Sequence, residues 1–331
     1  MFRGPRYFAY AAVIAALGSC QSKTEGLNRG GVSTDIPSTR GSGGRTGRGG
    51  STIVPGNTGG SVMLPDAGAD TRPDGSGDTT APLDMAKPID TRPAMVWKPT
   101  IGLTWDIQLL APINPAVEVQ VFAVKLFDTL PGVVADLHMR GRKVICHVDF
   151  GTYESWHPDA TRIPKDALGA MYGTDPERRW LDIRNQSLVG VMRGRLDLAV
   201  QLGCDAVAPD NMDAYDLKLH GASGFQLNNI DQLLYNRTIA TEAHKRGLAI
   251  GLMNDVHQID DLVTDFDFHL SEECFSREDC ALLKPFIDAG KPVFAIEYTL
   301  ALPLFCPMAK AQKFSAIKKK YELDAYREAC P

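Results

Sequence analysis

The chain has 331 residues, with 35 Lys and Arg against 40 Asp and Glu and a formal charge of −5. With no basic stripe along it, nucleic acid is excluded as the expected partner. The composition is uneven: large apolar residues are scarce before Trp97 and all four Trp lie from Trp97 onward, so one folded domain is expected behind a segment too polar to bury a core.

Residues 1–20 read as a signal peptide. Arg3 and Arg6 form a positive start, and Tyr7 to Leu17 form an apolar run of 11 residues, short for a membrane span and suited to an export signal. Leu17-Gly18-Ser19-Cys20 resembles a lipobox, which would put a lipid anchor on Cys20; the alternative is ordinary cleavage near Ser19. Either way the protein is expected to be exported, as a cell-surface or outer-membrane lipoprotein or as a secreted protein. Residues 21–96 are rich in Gly, Ser, Thr and Pro and read as a disordered linker.

Residues 97–331 carry 32 acids against 25 basic residues, a net −7, a balance that steers cationic substrates inward. Short apolar runs here alternate with helical stretches. Strands are expected at 102–109, 119–128, 143–151, 205–211, 248–255, 266–273 and 291–298. Helices are expected at 131–139, 186–202, 230–246 and 281–290. In the second helix Leu188, Val191, Met192, Leu196 and Ala199 recur at helical spacing. Strand–helix alternation at this pitch predicts an α/β fold with a parallel sheet, and this length fits a single (β/α)8-type (TIM) barrel. That leaves the eighth strand open between residues 178–184 and a weak strand after Glu297. An open doubly wound sheet is the alternative, disfavoured because the first strand–helix turn lacks a Gly-x-Gly-x-x-Gly fingerprint.

Six cysteines follow the linker, an even number that in an exported chain predicts disulfides. Cys274 with Cys280 and Cys306 with Cys330 are the local pairings; the overall connectivity stays open.

Acids fall where strands end: Asp106, Asp128, Asp149, Asp210, Asp255, Glu272, Glu273 and Glu297. In a barrel these ends share one mouth, where active sites form. Some of these acids are expected to cap the next helix instead, Asp255 above all. Trp105, Phe150, Tyr153, Trp156, Tyr215 and Tyr298 are expected around the same opening, an acid-and-aromatic mix suited to carbohydrate and to cleavage by two carboxylates. Two other readings compete. His147, Asp149, Asp210 and Asp213 could gather a metal for a metal-dependent hydrolase, and the domain could bind surface polysaccharide without turning it over.

The segments at 146–160, 194–215, 233–255, 271–280 and 285–298 resemble glycoside hydrolase family 114, whose members are endo-α-1,4-polygalactosaminidases. The resemblance covers Trp97 to Cys330 and implies a TIM-type barrel, no cofactor and an α-1,4-linked galactosamine polymer as substrate; with no His-x-His or His-Glu-x-x-His motif no metal is expected, and the protein is expected to be a monomer. By the same resemblance, Asp210 is the nucleophile or charge stabiliser and Glu272 the general acid/base. Trp105, Asp149, Glu154, Asn211, Asp213, Tyr215, Glu273 and Tyr298 are expected to contact substrate. Asp182 matches a family position too, but pairing with Arg184 gives it a structural reading. The sequence departs from the family at Met253, where relatives carry Lys, and at His147, where Tyr is frequent.

Overall fold

The computed structural model describes residues 95–331; the expected signal peptide, the Cys20 anchor and nearly all of the linker lie outside the described residues. Eight parallel strands form the framework: β1 (Trp105–Gln108), β2 (Val121–Lys125), β3 (Lys143–Asp149), β7 (Ala206–Asp210), β8 (Ala249–Met253), β9 (Phe268–Glu272), β10 (Val293–Glu297) and β11 (Ser315–Lys318), paired in that order. A two-residue strand, β12 (Glu328–Ala329), adds antiparallel to β11. Between β3 and β7 the chain inserts β4 (Thr152–Glu154), β5 (Leu168–Tyr172) and β6 (Asp175–Leu181), a separate antiparallel sheet in the order β4-β6-β5.

The seven expected barrel strands are all present, each trimmed to its hydrogen-bonded centre. Residues 178–184 are not the eighth: they fall largely in β6, and β11 takes that place. The helices are α1 (Pro131–Met139), α2 (Gln186–Leu202), α3 (Leu217–His220), α4 (Asn229–Lys245), α5 (Ile259–Leu262), α6 (Lys284–Asp288) and α7 (Leu302–Ala311). Local chemistry sets their ends. Asn185 caps α2 by accepting from Ser187 N, and Gly203 at φ 90° closes it in the left-handed region that glycine tolerates. Asn228 and Asp231 form a capping box at the start of α4. The helix expected at 281–290 is split: a 3-10 turn at Cys280–Leu283 precedes α6.

Strand alternation sorts the buried residues into two cores. Trp105, Ile107, Val121, Ala123, Ile145, Ala206, Ala208, Phe268, Leu270, Phe294 and Ile296 fill the barrel interior. Phe122, Val124, Val144, Cys146, Val207, Ile250, Val293 and Ala295 face the helices. The β1–β11 seam is bridged by other means than a ladder. Trp105 Nε1 donates to Ser315 O at 2.7 Å, Leu109 N to Leu323 O at 2.8 Å, and Arg327 Nε to Trp105 O at 2.9 Å. Lys319 Nζ lies 2.9 Å from Asp106 Oδ1, with both side chains fully buried.

Both local disulfides form, Cys274–Cys280 beyond β9 and Cys306–Cys330 from α7 to the C-terminal segment. A third, Cys146–Cys204, ties β3 to the turn after α2.

Candidate active site

The interior face of the sheet carries the site. On β3, Ile145, His147 and Asp149 share one face; on β7, Ala206, Ala208 and Asp210; on β9, Phe268, Leu270 and Glu272. Tyr298, just past β10, continues the face of Phe294 and Ile296. Apolar residues thus form the floor, and the last inward position of each of these strands is polar, at the C-terminal mouth.

The chain leaves this mouth in strained turns. Asn211 (φ 57°), Asn254 (φ 54°), Asp255 (φ 42°) and Glu273 (φ 58°) are left-handed directly after β7, β8 and β9. Such conformations cost a non-glycine residue about 1–3 kcal/mol and gather at functional sites. At Gly151 a Cβ would lie 1.5 Å from Asn211 O, so only glycine lets the chain after β3 pass the Asn211 turn.

Asp210 accepts from Asn211 N at Oδ1 (2.8 Å), and its Oδ2 lies 3.4 Å from His147 Nε2. Its side chain is 22% exposed, so it opens toward the cleft. Glu272 takes the hydroxyl of Tyr298 on Oε1 and Asn254 Nδ2 on Oε2 at 3.3 Å, while its own N–H donates to Asn254 Oδ1 at 3.0 Å. Burial first, and then the charge of Asp210, push Glu272 above the usual carboxylate range, although Tyr298, Asn254 and His147 pull the other way. Glu272 therefore keeps its proton to higher pH than an exposed glutamate.

Asp149 is built to stay ionised. Burial raises it, but Arg178 Nη2 at 3.1 Å, Thr152 Oγ1 at 2.6 Å and the Asn211 amide outweigh that and hold it low. Burial lowers His147, yet its contact with Asp210 and the charges of Asp210, Asp149 and Glu272 win and raise it.

Of the residues expected from the sequence, Asp210, Glu272, Asp149, Asn211 and Tyr298 come together at this mouth. Glu273 is adjacent: Tyr321 OH donates to it at 3.1 Å, and Tyr321 stacks on Tyr298 at 4.5 Å. Asp213 borders a neighbouring cleft lined by Asp216, Asn254, Asp255, His257 and Arg277. Tyr215 reaches that side as well, donating to Asp255 Oδ1 at 3.2 Å.

Several expectations need correction. Trp105 offers no stacking face: it is fully buried at the start of β1, at the far end from the mouth, packed 5.1 Å from Phe294. Phe150 is likewise fully buried. Glu154 is closed off from substrate by burial and by two partners, His157 Nε2 at 2.7 Å and Arg178 Nε at 3.1 Å. Asp106 belongs to the seam, and Asp128 pairs with Lys125 at 3.2 Å. Glu297 faces the helix layer, where it accepts from Phe275 N at 2.8 Å and Ser276 Oγ at 2.6 Å. Asp255 occupies the cap position of the next 3-10 turn, but its side chain bonds Tyr215 and Asn236 rather than capping. Asp182 pairs with Arg184 at 2.8 Å, in line with its structural reading.

The sequence reading passed over Arg178, Asn254, Thr152 and Tyr321. Asn254 was within reach, since it ends a strand as Asp210 does. Among the described residues, no three His, Cys, Asp or Glu side chains converge as metal ligands. The four residues of the rival metal reading do not form such a group.

The sequence model of glycoside hydrolase family GH114 matches residues 87–331. The chain belongs to this family. It is a glycoside hydrolase. Ega3 from Aspergillus fumigatus, solved in complex with galactosamine, is 31% identical; the match covers 71% of this chain and 98% of that one, with a TM-score of 0.67. The glycoside hydrolase domain of PelA from Pseudomonas aeruginosa is 12% identical over 68% of this chain and 97% of that one, with a TM-score of 0.54, and shares the fold. No curated protein sequence matches the chain significantly.

Proposed function

We propose that this family 114 enzyme cleaves an α-1,4-linked galactosamine-containing polysaccharide, using Asp210 and Glu272 as its two carboxylates. The observation that carries the roles is the asymmetry of the pair. Both acids are half-buried, but their partners differ: Glu272 is held above the usual carboxylate range and accepts only uncharged donors, the Tyr298 hydroxyl and the Asn254 amide; Asp210 accepts a backbone N–H and lies 3.4 Å from the imidazole of His147. Environments that separate two neighbouring acids in this way assign an acid and a base.

Glu272 donates its proton to the glycosidic oxygen as the bond from the anomeric carbon to that oxygen breaks. Asp210 attacks or stabilises the oxocarbenium-like carbon. Water completes the hydrolysis, giving its proton back to Glu272 and its oxygen to the anomeric carbon. The galactosamine assignment is supported by the Ega3 likeness and by the net −7 of the domain, which favours a polycation.

Purified protein given a polygalactosamine should release reducing ends. Asp210→Asn and Glu272→Gln should each lower kcat by about 10²–10⁴-fold with an unchanged far-UV spectrum. Near-normal turnover in either variant overturns the assignment of roles. Retention of the polymer without release would favour the binding-module reading.

Export is part of the same proposal. Three disulfides support an oxidising compartment, and anchoring through Cys20 is tested by labelling cells with a fatty-acid analogue and comparing Cys20→Ala.

A further inference from the structure

We propose that His147 is a positioning residue of the hydrolytic site, an internal cation that clamps the Asp210 carboxylate and through its charge tunes Glu272. The inference rests on Asp210 and Glu272 being the working pair. It concerns a residue that the two-carboxylate mechanism does not itself require.

The geometry comes first. His147 is the middle inward position of β3's last three, above Ile145 and below Asp149, and is only 8% exposed. Each oxygen of Asp210 has one partner: Asn211 N donates to Oδ1 at 2.8 Å, and His147 Nε2 stands at ion-pair distance, 3.4 Å, from Oδ2. A carboxylate gripped on both oxygens keeps one plane as the sugar approaches. His147 is thus the side-chain half of the grip, and the strained Asn211 turn is the backbone half.

The charge argument follows from everything that faces the ring. Three carboxylates act on it: Asp149 from its own strand, Asp210 from β7 and Glu272 from β9. Two other cations stand nearby. Lys125 of β2, the register partner of His147, is drawn 3.2 Å from Asp128. Arg178 of β6 spans Asp149 and Glu154 at 3.1 Å each. Both are thus committed to other acids, and His147 is the cation that meets Asp210 directly. Burial works against its charge, but the surrounding carboxylates prevail, so the ring stays protonated to higher pH than an ordinary histidine. In turn, its positive charge restrains Glu272, whose upward shift would be larger without it.

The sign of the consequence is fixed. Glu272 must be protonated to act as the acid, so activity falls as pH rises through its titration. Removing the His147 charge lets Glu272 hold its proton longer and moves this alkaline limb upward. A neutral residue that still donates a hydrogen bond preserves the grip while losing the charge, so the two contributions can be separated.

The test uses the full chain with His147→Gln and His147→Phe. Both variants should move the alkaline limb of kcat against pH upward by about one unit, the scale of one nearby charge at intermediate dielectric. His147→Phe should in addition lose about tenfold in kcat, because a charged acceptor then lacks its donor. An unmoved limb in both variants overturns the proposal. An independent arm uses ¹³C-histidine-labelled protein, with the His147 signal assigned from its absence in His147→Gln. Its titration midpoint should lie above about 6.5 and drop by about one unit in Asp210→Asn. A midpoint at or below that value, or one indifferent to Asp210→Asn, overturns it too. If the wild-type protein does not cleave the polymer, the substrate assignment fails while the titration still decides the role of His147.

Discussion

Replacing Arg178 with Met would delete the cation that two buried acids share, while keeping most of its aliphatic bulk. Asp149, 6% exposed, would lose its 3.1 Å partner but keep Thr152 and Asn211; Glu154 would keep His157 at 2.7 Å. Breaking a buried pair from one side costs about 3–5 kcal/mol. The surviving partners, together with the 22% exposure of Arg178, put the expected loss near the lower end, about 3 kcal/mol. For a domain of this size that lowers Tm by roughly 6–12 °C. The loss must also depend on pH. Asp149 is held below the usual range, so the contribution of Arg178 is fully present above the ordinary aspartate pKa and fades as pH falls through the lowered value. In the variant, a buried Asp149 without its cation resists ionisation, and stability falls as pH rises through the carboxylate range. Urea denaturation with the disulfides intact should therefore show a wide gap between wild type and variant at about pH 7 that narrows toward about pH 4. An equal gap at both pH values would refute the electrostatic argument and assign Arg178 to packing, through its 4.1 Å contact over the Tyr172 ring.

Two further predictions concern the opposite wall and the seam. Tyr298→Phe keeps the 4.5 Å stack on Tyr321 and removes the hydroxyl given to Glu272. That bond favours the ionised acid, so its loss should shift the alkaline limb of the pH–rate profile upward by roughly half a unit to one unit; a downward shift counts against Glu272 as the acid. Lys319→Met removes the cation paired with Asp106 at 0% exposure, leaving it only the neutral donors Ile107 N and Gln108 Nε2, and should cost about 3–5 kcal/mol, whereas Lys319→Met with Asp106→Leu should recover most of it. Thermal melts decide the point, and a double variant as unstable as the single one would show that the pair does not govern the seam.

Seven of the eight barrel strands could be read directly, because each is a short β-rich apolar run set off by turn residues. The eighth could not be placed. Residues 315–318 offer only Ala316 and Ile317 as buried positions, whereas Trp180 and Leu181 make the stretch at 178–184 look at least as strand-like. Both stretches are strands, and local pattern does not say which sheet a strand joins. Helix α7 was hidden for a different reason: Pro303 and Pro307 read as breakers, yet the first falls in the opening turn, where no N–H is needed, and the helix carries the second within its length. The insertion sheet β4-β6-β5 brings Arg178 to the mouth, and nothing at 178 announces contacts made 24 and 29 residues away with Glu154 and Asp149.

The acids at strand ends were an incomplete guide, and parity supplies what they lacked. Asp149, Asp210 and Glu272 each lie an even number of residues from an interior side chain, Ile145, Ala206 and Phe268, and so point into the barrel. Asp106 and Glu297 have the opposite parity, matching the helix-facing Phe122 and Val293 faces, and both became structural anchors. The parity of every acid is readable from the sequence. What is not readable is which parity faces inward, because strands of a parallel barrel are apolar on both faces. Contacts across the barrel decide it: Trp105 on Phe294 at 5.1 Å and Phe294 on Phe268 at 5.7 Å join three strands through their inward positions. The misplacement of Trp105 follows from the same gap. Its neighbour Asp106 reads as a strand end in the sequence, whereas β1 begins at Trp105 and runs on to Gln108, so the ring packs the interior beneath the mouth and holds no sugar.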